Sequence, residues 1–298
     1  MTSDQYAMEN PAEKYADIHP SAQYQHGAGT DADMNEPADH GEESYRGSGR
    51  LTGRKALITG GDSGIGAAVA IAFAREGADV VISYLPEEQE DADRILLLVK
   101  QAGRTGVGVP GDITDASFCR DLVERTASEL GGIDILVNNA GKQQNRESLE
   151  EISDEQFDET FKTNVYAMFW ITKAALAHLK PGSSIINTSS IQAYAPSPIL
   201  VDYATTKAAI NTFSKGLAEQ LAPKGIRVNV VAPGPIWTPL QTAGGQPTEK
   251  LPSTGEETAL GRWGQPAELA PAYVFLASGE SSFVVGETLH VNGGMPTP

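Results

Sequence analysis

A tyrosine and a lysine four residues apart, Tyr203 and Lys207 in "YATTK", form the pair in this sequence best suited to moving a proton. Their segment, "VDYATTKAAINTFSKGLAEQLA", has helical periodicity, and residues four apart on a helix share one face. A free phenol titrates at about 10, too high for ready exchange at neutral pH. A neighbouring ammonium favours the phenolate and lowers that value. So placed, Tyr203 serves as general acid toward a carbonyl oxygen or as general base toward an alcohol. The pair alone does not separate this device from a core aromatic with a charged neighbour. A cofactor site and a third polar group have to converge on it.

The cofactor signal is the turn "TGGDSGIG" (59–66), which links the apolar run "KALITG" to the helical pattern "GIGAAVAIAFAREGA". Gly60, Gly64 and Gly66 permit a tight turn and let main-chain N–H groups approach an anion at a helix N-terminus. The spacing is Gly-x3-Gly-x-Gly rather than Gly-x-Gly-x2-Gly, and its weight comes from standing after the first strand of a βαβ unit. Downstream, "DVVISYL", "TGVGVPGD", "IDILVNNAG", "SSIINTSS", "GIRVNVVAPG" and "GETLHVNGG" read as strands between helical stretches, with 155–179 as one long helix. Unbroken Val/Ile runs alternating with helices predict an α/β fold: a doubly wound, Rossmann-type, seven-stranded parallel sheet with helices on both faces.

"TGGDSGIG", "NNAG" (138–141) and "YATTK" together resemble the signatures of the short-chain dehydrogenase/reductases, single-domain branch, in the family's order and at family-like separations over about residues 50–298. The resemblance implies an NAD(P)-dependent oxidoreductase. Its cofactor would lie on Gly60, Asp62, Ser63, Gly64, Ile65 and Gly66 of the turn and on Tyr84 at the second strand tip. Asp112 and Ile113 after the third strand, and Asn139, Ala140 and Gly141 in "NNAG", would border the adenosine. In "VVAPGPIWTP", Pro233 and Gly234 would shape the loop that brings Ile236 and Thr238 to the nicotinamide carboxamide, although Pro-Gly alone reads equally as a turn. Lys207 would also hold the nicotinamide ribose. The family's serine lies thirteen residues before the tyrosine, which selects Ser190 over its neighbour Ser189 as donor to the substrate oxygen. Asn164 matches the helix asparagine that positions a relay water. One departure is Ala193, where many relatives carry glycine; Gln192 and Tyr194 beside it either line the substrate pocket or pack the loop. The tip of the second strand, Ser83-Tyr84-Leu85, has no decisive acid, but the missing Arg or Lys leans the cofactor from NADP toward NAD.

The bulk composition removes other classes. The net charge of −17 disfavours nucleic acid and anionic membrane surfaces as partners. No apolar run approaches the ~20 residues of a membrane span, and the first residues resemble no secretory signal, so a cytoplasmic protein is expected. Cys119 is the single cysteine and reads as a packing residue. Five scattered histidines suggest no metal site. Residues 1–49 carry a net −8, four tyrosines and almost no Ile, Leu or Val. They read as a flexible acidic extension, with docking on the core or a neighbouring subunit left open, and they resemble the extension of a bacterial aldehyde-reductase and glucose-dehydrogenase-like subgroup. Residues 50–298 read as one domain with a mobile substrate lid near 237–265, where Trp237 and Leu240 would offer apolar contacts. The expected substrate is a small carbonyl or alcohol (aldehyde, ketone or sugar), and the family's homotetramer is the expected assembly. The alternatives are a nucleotide sensor or scaffold without turnover, and an epimerase or dehydratase of the larger branch. The glycine spacing and the lack of a C-terminal substrate domain argue against the second.

Overall fold

The computed structural model describes residues 4–297. Its centre is a sheet of β1 (Lys55–Thr59), β2 (Asp79–Tyr84), β3 (Gly106–Pro110), β4 (Ile135–Asn138), β5 (Ser184–Thr188), β6 (Arg227–Pro233) and β7 (Thr288–Val291). The order is β3-β2-β1-β4-β5-β6-β7, and every pairing is parallel. The helices are α1 (Gly64–Arg75), α2 (Gln89–Gln101), α3 (Ala116–Leu130), α4 (Asp154–Phe161), α5 (Ala167–Ala175), α6 (Val201–Leu221), α7 (Leu251–Thr254) and α8 (Pro266–Ala277).

Strand side chains alternate between faces, and both faces of this sheet are covered. Ala56, Ile58, Val80, Ile82, Val137 and Val231 pack beneath α1, α2 and α8. Leu57, Val81, Leu136, Ile185 and Val228 pack beneath α3, α5 and α6. That two-sided burial explains why the strands read as continuous apolar runs rather than as alternating ones. The expected long helix over 155–179 is interrupted by a π-helical turn at Lys162–Tyr166. One residue inserted into a helical ladder leaves the hydrophobic period of its flanks almost unchanged, so the pattern does not announce it.

The extension is not a free tail over the described residues. Met34 and Tyr45 are buried, and Met34 packs with Trp237, Leu251 and Trp263. Most of the remaining attachment is polar. Arg75 Nη1 donates to the carbonyls of Gly41 (2.7 Å) and Tyr45 (2.6 Å), and Trp237 Nε1 donates to the Glu36 carbonyl at 2.8 Å. Glu76, fully buried at the end of α1, accepts from the Tyr45 hydroxyl at 2.8 Å and from the Ser48 N–H at 2.9 Å, and pairs with Arg50 at 2.6 Å. Hydropathy counts apolar side chains, and this segment is held largely by main-chain carbonyls and carboxylates, so composition concealed its docking.

Burial alone would raise the Glu76 carboxyl, but Arg50 and the surrounding N–H donors hold it at about 2. A carboxyl depressed in the folded state contributes stability above its ordinary range and loses it as pH falls toward 2. Glu76→Gln is therefore expected to destabilise the chain by about 2 kcal/mol at neutral pH. Urea unfolding should show the gap to wild type closing as pH is lowered toward 3; a gap independent of pH would contradict this account of the pair.

Candidate active site

Strand order reverses beside β1, and ligands of open α/β sheets bind at the carboxyl ends of the strands flanking such a point. A cavity of about 560 Å3 opens there, lined from the ends of β1 to β6. Tyr203 and Lys207 enter from one face of α6, and Ser190 follows β5. All three are buried and all three line the cavity. Ser189 Oγ donates to the Lys207 carbonyl at 3.0 Å, whereas Ser190 Oγ accepts from the Gln192 N–H at 3.1 Å. Lys207 Nζ donates to the Thr188 carbonyl at 3.0 Å and lies 5.3 Å from the centroid of the Tyr203 ring.

Burial pushes the Tyr203 phenol up to about 12, with Ser190 pulling it back, and burial draws the Lys207 ammonium down to about 8. The expected lowering of the phenol by Lys207 is not seen here: burial sets the direction, and the opposing pull comes from Ser190. Asn164 sits in the π-helical turn, its Nδ2 donating to the Lys142 carbonyl (2.9 Å) and Thr206 Oγ1 (3.0 Å), and its Oδ1 accepting from the Lys142 N–H (2.7 Å). Its amide faces the main chain after β4 and does not line the cavity.

The glycine turn is shaped by close approach. A Cβ on Gly66 would stand 1.8 Å from the Gly60 carbonyl oxygen, and one on Gly64 (φ +48°) would stand 2.9 Å from Thr238 Cγ2. Gly66 therefore packs the turn and does not face the cavity, while Gly60, Asp62, Ser63, Gly64 and Ile65 line it. Asn139 ties this turn to β4, donating through Nδ2 to the carbonyls of Thr59 (3.3 Å) and Gly60 (3.1 Å). The N–H groups of Asn139 and Ala140 both donate to Thr59 Oγ1. Tyr84, Asp112, Ile113, Ala140, Gly141, Pro233, Gly234, Ile236 and Thr238 complete the expected set along the cavity.

The family model described as "Enoyl-(Acyl carrier protein) reductase" matches residues 60–296. The Bacillus subtilis oxidoreductase YhxD is 55% identical over 291 residues, 97% of each chain, so the match takes in nearly all of the N-terminal segment. The NADPH-dependent aldehyde reductase 1 of Arabidopsis thaliana is 45% identical over 267 residues, covering 88% of this chain and 92% of its own. A Burkholderia cenocepacia short-chain dehydrogenase solved in complex with NADP superposes with a TM-score of 0.77 at 35% identity, covering 82% of this chain and 98% of its own. This chain belongs to the short-chain dehydrogenase/reductase family.

It is an oxidoreductase with a nicotinamide-dinucleotide site, and the cavity fits that cofactor. The glycine positions of the turn, Gly64 and Gly66 above all, have no room for side chains, and Ser83 Oγ, buried in the lining near the expected adenosine end, has no partner among the described residues. The lean toward NAD finds no support among the relatives, which point to NADP. The absence of a nearby Arg or Lys was weak ground for it, because main-chain N–H and hydroxyl groups also bind phosphate.

Several lining residues gave no clear signal in the sequence. Gln143, Gln144, Gln241 and Gln246 line the cavity with Gln192; the first two follow "NNAG" after a single lysine in "GKQQN", the one clue available. Of the pair left open beside Ala193, Gln192 lines the cavity, whereas Tyr194 packs edge-on against His290 at 4.8 Å. Leu240 lines the cavity, but Trp237 does not. Trp237 is fully buried and edge-on to Trp263 at 5.7 Å, because its indole N–H is claimed by the extension.

Asp62 is a buried member of the turn, and its Oδ2 has no partner among the described residues. Burial and the nearby Asp31 and Asp91 carboxylates push it up to about 7, against hydrogen bonds from its own N–H and from Ser63. A carboxyl raised in the folded state contributes stability that is complete below about pH 4 and is lost as pH rises through about 7. Asp62→Asn, neutral throughout, should unfold together with the wild type near pH ~4 and at a higher temperature than it near pH ~8. Equal melting at both pH values would show that Asp62 is not held protonated.

Proposed function

We propose that the chain catalyses NAD(P)-dependent interconversion of a small carbonyl compound and its alcohol, the substrate being an aldehyde, ketone or sugar. The observation that carries this reading is the burial of Tyr203, Ser190 and Lys207 together in the wall of one dinucleotide-sized cavity. When bound, the nicotinamide supplies or accepts the hydride. Ser190 donates a hydrogen bond to the substrate oxygen, which carries more negative charge in the transition state than in the carbonyl. Tyr203 gives that oxygen its proton during reduction and takes it back during oxidation. A phenol held at about 12 in the structure is a poor base, so Lys207, together with the charge of an oxidised cofactor, has to favour phenolate for oxidation. Asn164 fixes the main chain after β4 against α6 through Lys142 and Thr206.

The remaining lining favours a neutral, polar substrate. It is rich in amides, and its cations are Lys207 and Lys142, the latter paired with Glu159 at 2.5 Å. That leaves no obvious clamp for a phosphorylated or carrier-bound substrate. The relatives favour NADP, whereas the adenosine end of this cavity carries Glu87 and Glu88 without Lys or Arg. Parallel assays with NADPH and NADH separate the two. Exposed Phe157, Tyr166 and Phe169 on the α4–α5 stretch, and Phe283 before β7, are the surfaces we assign to a homotetramer.

Tyr203→Phe is expected to lower kcat at least ~100-fold while changing the dinucleotide Kd less than ~3-fold. Steady-state kinetics on an aldehyde, ketone and sugar panel, with cofactor affinity from fluorescence titration, provides the measurement. Wild-type turnover by the variant would remove Tyr203 from the mechanism.

A further inference from the structure

The N-terminal segment does more than cover the core, because it joins two walls of the cofactor cavity. Ser63, the N-cap of α1, makes no side-chain capping bond. The carboxylate that accepts from the first N–H of the helix belongs instead to Asp31: its Oδ2 lies 3.2 Å from the Gly64 nitrogen, 33 residues away in sequence. Unsatisfied N–H groups at a helix start need an acceptor, and a carboxylate there is also favoured by the helix dipole.

Asp31 is itself tightly held. The same oxygen lies 3.0 Å from Arg94 Nη2 on α2 and 2.8 Å from His40 Nε2, and the Asp31 N–H donates to Asp91 Oδ2 at 2.6 Å. On the other side, the Gln25 N–H donates to the Thr242 carbonyl at 3.0 Å in the segment after Trp237. Between these anchors, Tyr24, Gly27 and Ala28 line the cavity together with the glycine turn. The segment 24–40 thus bridges the phosphate turn, α2 and the substrate-side loop.

We propose that residues 24–40 are a strap that completes the cofactor site, with Asp31 as a positioning residue that fixes the phosphate turn from outside the cavity. The inference rests on the dinucleotide site, not on the identity of the substrate. Asp31 touches no reacting atom. It sets where the Gly64 N–H and the turn stand before the cofactor arrives, and a preformed turn costs less to order on binding. By linkage, cofactor binding must in return hold the strap more firmly.

The test uses the full chain and both NADP+ and NAD+ as probes. Asp31→Ala should weaken dinucleotide binding about tenfold by fluorescence titration, with kcat at saturating cofactor within about twofold of wild type. Asp31→Asn, which keeps an acceptor for Gly64, should fall between the two. Should Asp31→Ala fold poorly, the wild type supplies an independent readout: hydrogen exchange at the amides of Gly64 and of residues 24–40 should slow when the preferred dinucleotide is added. Unchanged affinity in Asp31→Ala, or exchange in the strap indifferent to bound cofactor, would overturn the proposal. Failure of the wild type to bind either dinucleotide would overturn the cofactor reading itself, and the proposal with it.

Discussion

A lysine ammonium removed from water beside a phenol is the constraint around which this site is organised. Lys207 is 3% exposed, and its Nζ donates to the Thr188 carbonyl at the end of β5. A buried charge without strong partners is costly, and the downward pull on its proton records that cost. The position therefore needs what the neighbouring elements provide: the Thr188 carbonyl from the end of β5, the hydroxyls of Ser190 and Tyr203 in the same cavity wall, and open space for a ligand with hydroxyl groups of its own. The parallel sheet supplies such a place only at the carboxyl ends of its strands, because elsewhere both of its faces are sealed by helices.

Around the glycine turn the electrostatics run the other way from what an anion site suggests. Asp31, Asp62, Glu88 and Asp91 gather there, and burial together with mutual repulsion pushes Asp62, Glu88 and Asp91 upward. His40 and Arg94 answer part of this charge. His40 is raised to about 9: burial opposes its charge, but Asp31 and Glu42 outweigh that, so it is a cation at neutral pH. Upward-shifted carboxyls and the paired His40 and Arg94 cations lessen the negative charge that this acidic chain presents beside the glycine turn.

What was legible in the sequence was whatever obeys a local rule. The seven strands follow from Val/Ile runs between helical periods, and "TGGDSGIG" from glycines that no side chain can replace. The Tyr203–Lys207 pair follows from helical spacing. The family resemblance chose between two adjacent serines that the residues alone left in competition; in the structure Ser189 Oγ donates to the Lys207 carbonyl and Ser190 Oγ accepts from the Gln192 N–H. The π-helical turn at 162–166 was illegible because a single inserted residue barely disturbs periodicity. The strap was illegible for a different reason: its anchors are carbonyls, carboxylates and one indole N–H, and their partners lie as far away as Trp237 and Gln265. Trp237 was misassigned to the substrate for the same reason, since its true partner is Glu36.

The buried pair formed by Trp237 and Trp263 has an optical consequence. The chain contains three tryptophans, and these two stand where the strap meets the loop after β6, packed with Met34 and Leu251. Trp237 keeps its indole N–H on a strap carbonyl. Lifting the strap would expose both rings to water at once and remove that hydrogen bond. The emission of the unlabelled protein is thereby a built-in gauge of whether its N-terminal segment is seated.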